Sequence, residues 1–195
     1  PHPLIAHWLT MLRNNSTPPS IYSVGLGQIG RWLTYEALRE WLPYREEEVE
    51  TATGKTTGTV IETRVPLLAI AKLPGGLELW QGARDILPNA NLYLGEIPSS
   101  INQNAGILIY IDQISTGEDL IKDLMLLKEQ NIESKRIKVI TALASSPGLK
   151  KIGESFLDIT IYSACIDPDL TEKGEIMPGI GNPIQRINTR IATTN

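Results

Sequence analysis

Ile107-Leu108-Ile109-Tyr110-Ile111-Asp112-Gln113-Ile114-Ser115-Thr116-Gly117-Glu118-Asp119 is the stretch on which the fold turns. Five consecutive apolar residues, 107–111, suit a strand buried on both faces, as in a parallel sheet. The run stops at Asp112, a Ser/Thr/Gly loop follows, and the periodicity predicts a helix over 117–130. In open α/β sheets ligands bind at the carboxyl ends of strands. A loop of this kind entering a helix offers backbone N–H groups and a favourable dipole to a phosphate. The plainer reading of the same residues is that Ser115 or Thr116 caps the helix.

Outward from this stretch the pattern alternates. Strands are predicted over 65–71, 91–94, 137–143 and 159–162, with helices over 75–87 and 148–154 between them. Such alternation argues for a parallel sheet covered by helices on both faces, an α/β fold. Before it lie two helices, one with Leu4, Ile5, Trp8, Leu9 and Leu12 at helical spacing and a longer one over 21–42. Residues 50–53 and 56–63 read as a hairpin about Gly54-Lys55, and the tail after Asp167 is rich in turns. No repeat or linker interrupts the 195 residues, so one domain spanning 1–195 is expected.

With 42% hydrophobic and 21% charged residues the chain can bury a core without staples. A net charge of −4 with no basic stripe argues against nucleic acid. Cys165 is the single cysteine, which points to a reducing compartment. No apolar run approaches the roughly 20 residues that span a bilayer, and no signal peptide is recognisable. The expectation is a cytoplasmic or equivalent compartment.

Gly25-Leu26-Gly27-Gln28-Ile29-Gly30 matches the dinucleotide fingerprint literally, and Glu46 lies near the expected distance. Its context is poor. The strand before it would be only residues 21–24, and the acid falls in the polar run 43–48 rather than on a second strand. The competing reading places Gly27 and Gly30 on one helix face, where small residues admit a close neighbour.

Blocks at both ends carry a resemblance. His2-Pro3-Leu4-Ile5, Leu9-Thr10 and Arg13 are similar to H-P-L-I-x-H-K-L-T-x-x-R, the opening of uracil phosphoribosyltransferases. Tyr35-Glu36-Ala37 with Arg39 matches Y-E-A-x-R, and Val49-Glu50-Thr51 resembles V-E-T-P. Residues 144–149 resemble A-A-P-E-G-L. Ile161-Tyr162-Ser163-Ala164-Cys165-Ile166-Asp167, running on to Ile176-Met177-Pro178-Gly179-Ile180-Gly181, resembles I-Y-T-A-x-I-D … G-Y-I-V-P-G-L-G. The chain thus resembles that family over nearly its whole length. The resemblance implies a type I phosphoribosyltransferase fold, a dimer, and a site for phosphoribosyl pyrophosphate (PRPP), magnesium and uracil.

Four departures fall in that implied site. The pyrophosphate loop R-A-G-L-G-M aligns with Pro74-Gly75-Gly76-Leu77-Glu78-Leu79, so an arginine becomes Pro74 and a glycine becomes Glu78, with Lys72 nearby as a partial replacement. The substrate-covering arm shrinks to residues 94–100. The phosphate loop D-P-M-L-A-T-G-G-S becomes Asp112 through Asp119. It keeps Ser115, Thr116 and Gly117 but carries Glu118-Asp119 where the family has Gly-Ser, and one of these carboxylates is expected to fill the anion site. The closing segment G-D-A-G-D-R becomes Gly181-Asn182-Pro183-Ile184-Gln185-Arg186. Backbone groups matching Glu175, Ile176 and Gly181, together with Ala144 and Asn182, would line a base pocket. Asp112 and Arg186 remain as vestiges of the catalytic set.

The expected function is therefore non-catalytic: a binding, regulatory or scaffold protein. It would need no cofactor, and its partners would be a second copy, another protein or a uracil-like ligand. The alternative is a working enzyme that makes UMP with magnesium and relies on Asp112, Thr116, Lys72 and Arg186. His2 and His7 read as surface or packing residues, Cys165 as a small buried hydrophobe and Glu46–Glu48 as a solvated turn. The four tryptophans, Trp8, Trp32, Trp41 and Trp80, read as core or partner surface.

Overall fold

Alternating apolar strands and amphipathic helices assemble as the pattern requires, in a computed structural model that describes residues 2–87 and 89–188. The chain opens with helices α1 (Pro3–Arg13) and α2 (Pro19–Leu38) and the hairpin β1 (Tyr44–Thr51) and β2 (Gly54–Ile61). There follow β3 (Leu67–Ala71), α3 (Gly75–Ala83), β4 (Ala90–Leu94), β5 (Gly106–Ile114) and α4 (Glu118–Glu129). The last part is β6 (Ile137–Ser145), α5 (Ser146–Ser155), β7 (Thr160–Asp167), the short pair β8 (Asp169–Leu170) and β9 (Ile176–Met177), and α6 (Pro183–Ile187).

Five strands form one sheet in the order β4-β3-β5-β6-β7, and every neighbouring pair is parallel. Side chains on a strand alternate between faces. On β5, Leu108 and Tyr110 join the core beneath α1, α2 and α3, while Ile107 and Ile109 join the core beneath α4 and α5. The fold class read from the sequence is therefore present. No described helix is long and apolar enough to cross a membrane.

Proline and a capping side chain start several helices. Pro3 opens α1, and the His2 ring accepts the Leu4 N–H at 3.2 Å, so this histidine is a cap. Pro147 sits in the first turn of α5, and Ser145 Oγ accepts the Gly148 N–H at 2.9 Å.

The fingerprint glycines lie in mid-helix. A Cβ on Gly30 would overlap the Leu79 carbonyl oxygen, and one on Gly82 would overlap that of Gly27. The motif is thus the contact between α2 and α3, and residues 21–24 are helical, which removes the dinucleotide reading.

Other expectations change at the edges. Residues 44–51 are strand β1, not a solvated turn, because the glutamates pair across the hairpin (Glu46 opposite Thr59, Glu48 opposite Thr57) and Lys55 reaches Glu48 at 2.7 Å. The bend falls at Ala52-Thr53, two residues before Gly54-Lys55. Strands β5, β6 and β7 run three, two and five residues past their apolar cores. Gln113 lies opposite Leu143, and Ser145 opposite Asp167, so polar residues continue the ladder with their backbone groups paired. Cys165 is only partly buried, with Sγ 3.5 Å from Arg13 Nη2.

Candidate ligand-binding site

The extended end of β5 defines the floor of a cavity at the carboxyl edge of the sheet. It encloses about 590 Å³, within the range of small-molecule sites. Leu73 and Pro74 border it on one side, Asp112, Gln113 and Ser115 at its base, and Glu175, Ile176, Gly181 and Asn182 opposite. Three segments that the sequence treats separately, around residues 74, 112 and 181, thus meet in one space.

Asp112 is its principal titratable group. Burial pushes the carboxyl up to about 6, while the Gln113 N–H at 2.7 Å and the Gly75 N–H oppose the shift. Gly75 opens α3, and a Cβ there would stand 2.5 Å from Asp112 Oδ2. The carboxylate therefore occupies the head of α3, where N–H groups and the dipole favour negative charge. Gly76 packs as closely on the Tyr110 carbonyl, so this loop needs both glycines.

The phosphate-loop remnant is held from behind. Ser145 Oγ donates to the Ser115 carbonyl at 2.5 Å, and Gly148 presses against the same carbonyl. Gly117 takes a left-handed φ of 80° to turn the chain into α4, a conformation open to glycine. The crevice over residues 111–120 measures about 30 Å³, the room of one water. Thr116 Oγ1 lies 3.5 Å from the Glu118 N–H. Glu118 accepts from Lys151 Nζ at 2.7 Å, which holds its carboxyl below the usual range, and Asp119 lies 3.8 Å from Lys122. Both acids thus face lysines at the surface.

Several singled-out residues point elsewhere. Lys72 is engaged by Asp123 of α4, at 3.1 Å from Oδ1 and 2.9 Å from Oδ2. Arg186 donates to the carbonyls of Leu12, Asn14 and Ile180 at 3.1, 2.8 and 3.2 Å, and its guanidinium lies 4.4 Å from the Tyr22 ring centre. It clasps α6 to the α1–α2 turn. Ala144 is wholly buried in the core beneath α4 and α5, on the far side of the sheet from Ile176. Glu78 does not line the cavity, and partial burial raises its carboxyl. Asn182 lies on the wall, with Oδ1 capping α6 through the Ile184 N–H at 3.0 Å.

Two residues matched only as parts of the end blocks have a role the sequence did not disclose. Arg13 donates to both carboxylate oxygens of Asp167 and to the Gly179 carbonyl at 2.9 Å. Asp167 accepts the Gly179 N–H in turn, at 2.8 Å. This fixes the segment from Ile176 to Gly181, which forms the far wall. Gly179 has φ 72°, so the bend there also asks for glycine.

The described lining residues include two carboxylates, Asp112 and Glu175, and no lysine or arginine. Among the described residues no group of three or more His, Cys, Asp or Glu is placed to hold a metal ion. Asp112 Oδ1 accepts the Gln113 N–H at 2.7 Å, and Glu175 is the other carboxylate among the described lining residues. The residues therefore do not fit a resident ion.

Comparison with known proteins places this geometry. A sequence profile described as uracil phosphoribosyltransferase matches residues 1–95 and 89–187. A uracil phosphoribosyltransferase of Synechococcus elongatus is 32% identical over 203 residues, covering 96% of this chain and 94% of that protein. The chloroplastic uracil phosphoribosyltransferase of Arabidopsis thaliana is 34% identical over 198 residues, covering 93% and 67%. The solved structure of the AQ2163 protein from Aquifex aeolicus superposes with a TM-score of 0.82 at 28% identity, covering 96% and 95%.

Proposed function

The chain belongs to the uracil phosphoribosyltransferase family, and on that premise we propose that it binds an uncharged, base-sized ligand such as uracil without transferring phosphoribose to it. The observation that carries this reading is the charge of the cavity. Its described lining has Asp112 and Glu175 but no lysine or arginine. Phosphoribosyl transfer develops charge on a departing pyrophosphate, and cations and backbone donors supply most of the stabilisation. Here the donors at the head of α3 already hold Asp112, and Lys72 and Arg186 are bonded elsewhere. The opposite wall is lined by Ile176 and Gly181, in the segment that resembles the family's base-binding stretch.

The catalytic alternative, UMP from uracil and PRPP, draws on the activity for which the relatives are named and on the retained Ser115-Thr116-Gly117 turn. One pair of calorimetric titrations separates the two. The expected result is micromolar binding of uracil and no heat from PRPP with magnesium. Tight PRPP binding followed by pyrophosphate release would establish the enzyme instead.

A second copy is the partner we propose. Ile21, Val24, Trp32 and Tyr35 form an exposed apolar line along α2, which continues into a groove bounded by Leu38, Leu42 and Ile86. The β1–β2 hairpin, which follows α2 in the chain, is solvated over most of its length, and an isolated two-stranded ribbon is marginal in water. Sedimentation should give a dimer, and Tyr35→Glu should dissociate it; a monomeric wild type would refute the assignment. The single cysteine supports a reducing, cytoplasmic setting.

A further inference from the structure

Lys72 directly precedes Leu73 and Pro74, which border the cavity. Its N–H donates to the Tyr110 carbonyl at 2.9 Å, fixing the main chain at the cavity mouth. Its side chain nevertheless runs away from the cavity to α4. There Asp123, only 4% exposed, meets the ammonium, and Oδ2 is left without a hydrogen bond although Nζ is 2.9 Å away. Burial, then Glu96 and Asp119, push the Asp123 carboxyl up, and Lys72 opposes them.

A buried ion pair is a weak source of stability, since well-packed apolar residues of similar volume often serve as well or better. Leu120, Leu124 and Leu127, also on α4, show that this helix is otherwise held by apolar packing. The distinctive effect of the pair is positional, because it holds a lysine beside a cavity whose described lining has no cation.

We propose that Asp123 sequesters Lys72 from the cavity and so sets its preference for uncharged over phosphorylated ligands. The proposal deepens the base-binding reading and rests on it. An ammonium on a flexible four-carbon stem, released from Asp123, can turn to the rim that the adjoining Leu73 and Pro74 border. Asp123 is thus a positioning residue that acts through Lys72. Glu96 and Asp119 add negative potential that keeps the lysine where it is.

The test is titration of wild type, Asp123→Asn and the Lys72→Met/Asp123→Asn double variant with inorganic pyrophosphate, and with uracil in parallel. Pyrophosphate affinity is expected to rise at least about tenfold in Asp123→Asn and to return to the wild-type level in the double variant. A purely structural role would lower stability without this gain. A folded Asp123→Asn protein with unchanged pyrophosphate affinity overturns the proposal, and so does an equal gain in the double variant. Uracil that binds none of the three refutes the base-binding reading, while the pyrophosphate comparison still judges Lys72.

Removing Asp123 risks stranding a buried cation, so wild type supplies a second measurement. The ¹⁵N resonance of Lys72 Nζ, assigned with Lys72→Arg, is expected to stay fixed as pyrophosphate is added. A saturable shift would show Lys72 already serving the cavity and would overturn the proposal.

Discussion

Arg13 and Asp167, 154 residues apart, meet through two hydrogen bonds of 2.8 and 2.6 Å, one to each carboxylate oxygen. Asp167 Oδ2 also receives the Gly179 N–H, so the first helix fixes the wall of a cavity built from the last part of the described chain. The Asp167 side chain is 4% exposed and that of Arg13 27%.

Breaking that pair should be costly. Arg13→Ala leaves a buried carboxylate without its partner and is expected to lower stability by about 3–5 kcal/mol, read by urea unfolding. The guanidinium holds the Asp167 carboxyl below its ordinary value, so the pair stabilises at neutral pH and its contribution is lost as pH falls through the folded-state value. The deficit of the variant should therefore shrink in acid. Uracil affinity should fall with it, because the wall at Gly179 is released.

Asp112→Asn should stabilise the protein at neutral pH. Burial raises this carboxyl to about 6 from 3.8, so the folded state holds the proton more tightly than the unfolded one. Wild-type stability then falls as pH rises through this window. The amide avoids that penalty and can still accept the Gln113 N–H. The variant should exceed wild type by up to about 2–3 kcal/mol at pH 7, a gap that closes below about pH 4. Thermal midpoints across pH decide this, and a constant offset would refute it.

Gly82→Ala and Gly30→Ala should each destabilise by about 1–3 kcal/mol or more, because the added methyl meets backbone of the facing helix, which cannot yield as a side chain would. Gly54→Ala on the hairpin, with nothing within 4 Å of the new methyl, should change stability by about 0.5 kcal/mol or less. Chemical denaturation of the three variants checks the contrast.

Ser145→Ala should lose about 1–2 kcal/mol, since one hydroxyl caps α5 and donates to the Ser115 carbonyl. Amide exchange at residues 115–117 should quicken in the variant. Unchanged exchange would mean that Gly148 packing alone holds the loop.

Much of the fold was legible because its signals are local. The apolar run 107–111 and the helical spacing of Ile5, Leu9 and Leu12 each lie within one element. The strand ends were not legible. Gln113 and Ser163 carry no apolar signal, and they are in strands because a neighbouring strand pairs with their backbones. The hairpin glutamates misled for the same reason.

By itself the sequence determined the order of strands and helices as far as Asp167, the family, and the segments around residues 74, 112 and 181 that border the cavity. Periodicity and motif are properties of neighbouring residues, so they survive without coordinates. Only the tertiary structure decided where the charged side chains go. Lys72 lies next to the cavity rim in sequence yet bonds to Asp123, 51 residues away, and Arg186 bonds to Asn14, 172 residues away. A long side chain settles wherever charge and hydrogen-bond partners converge. That convergence exists only once the sheet has brought distant segments together.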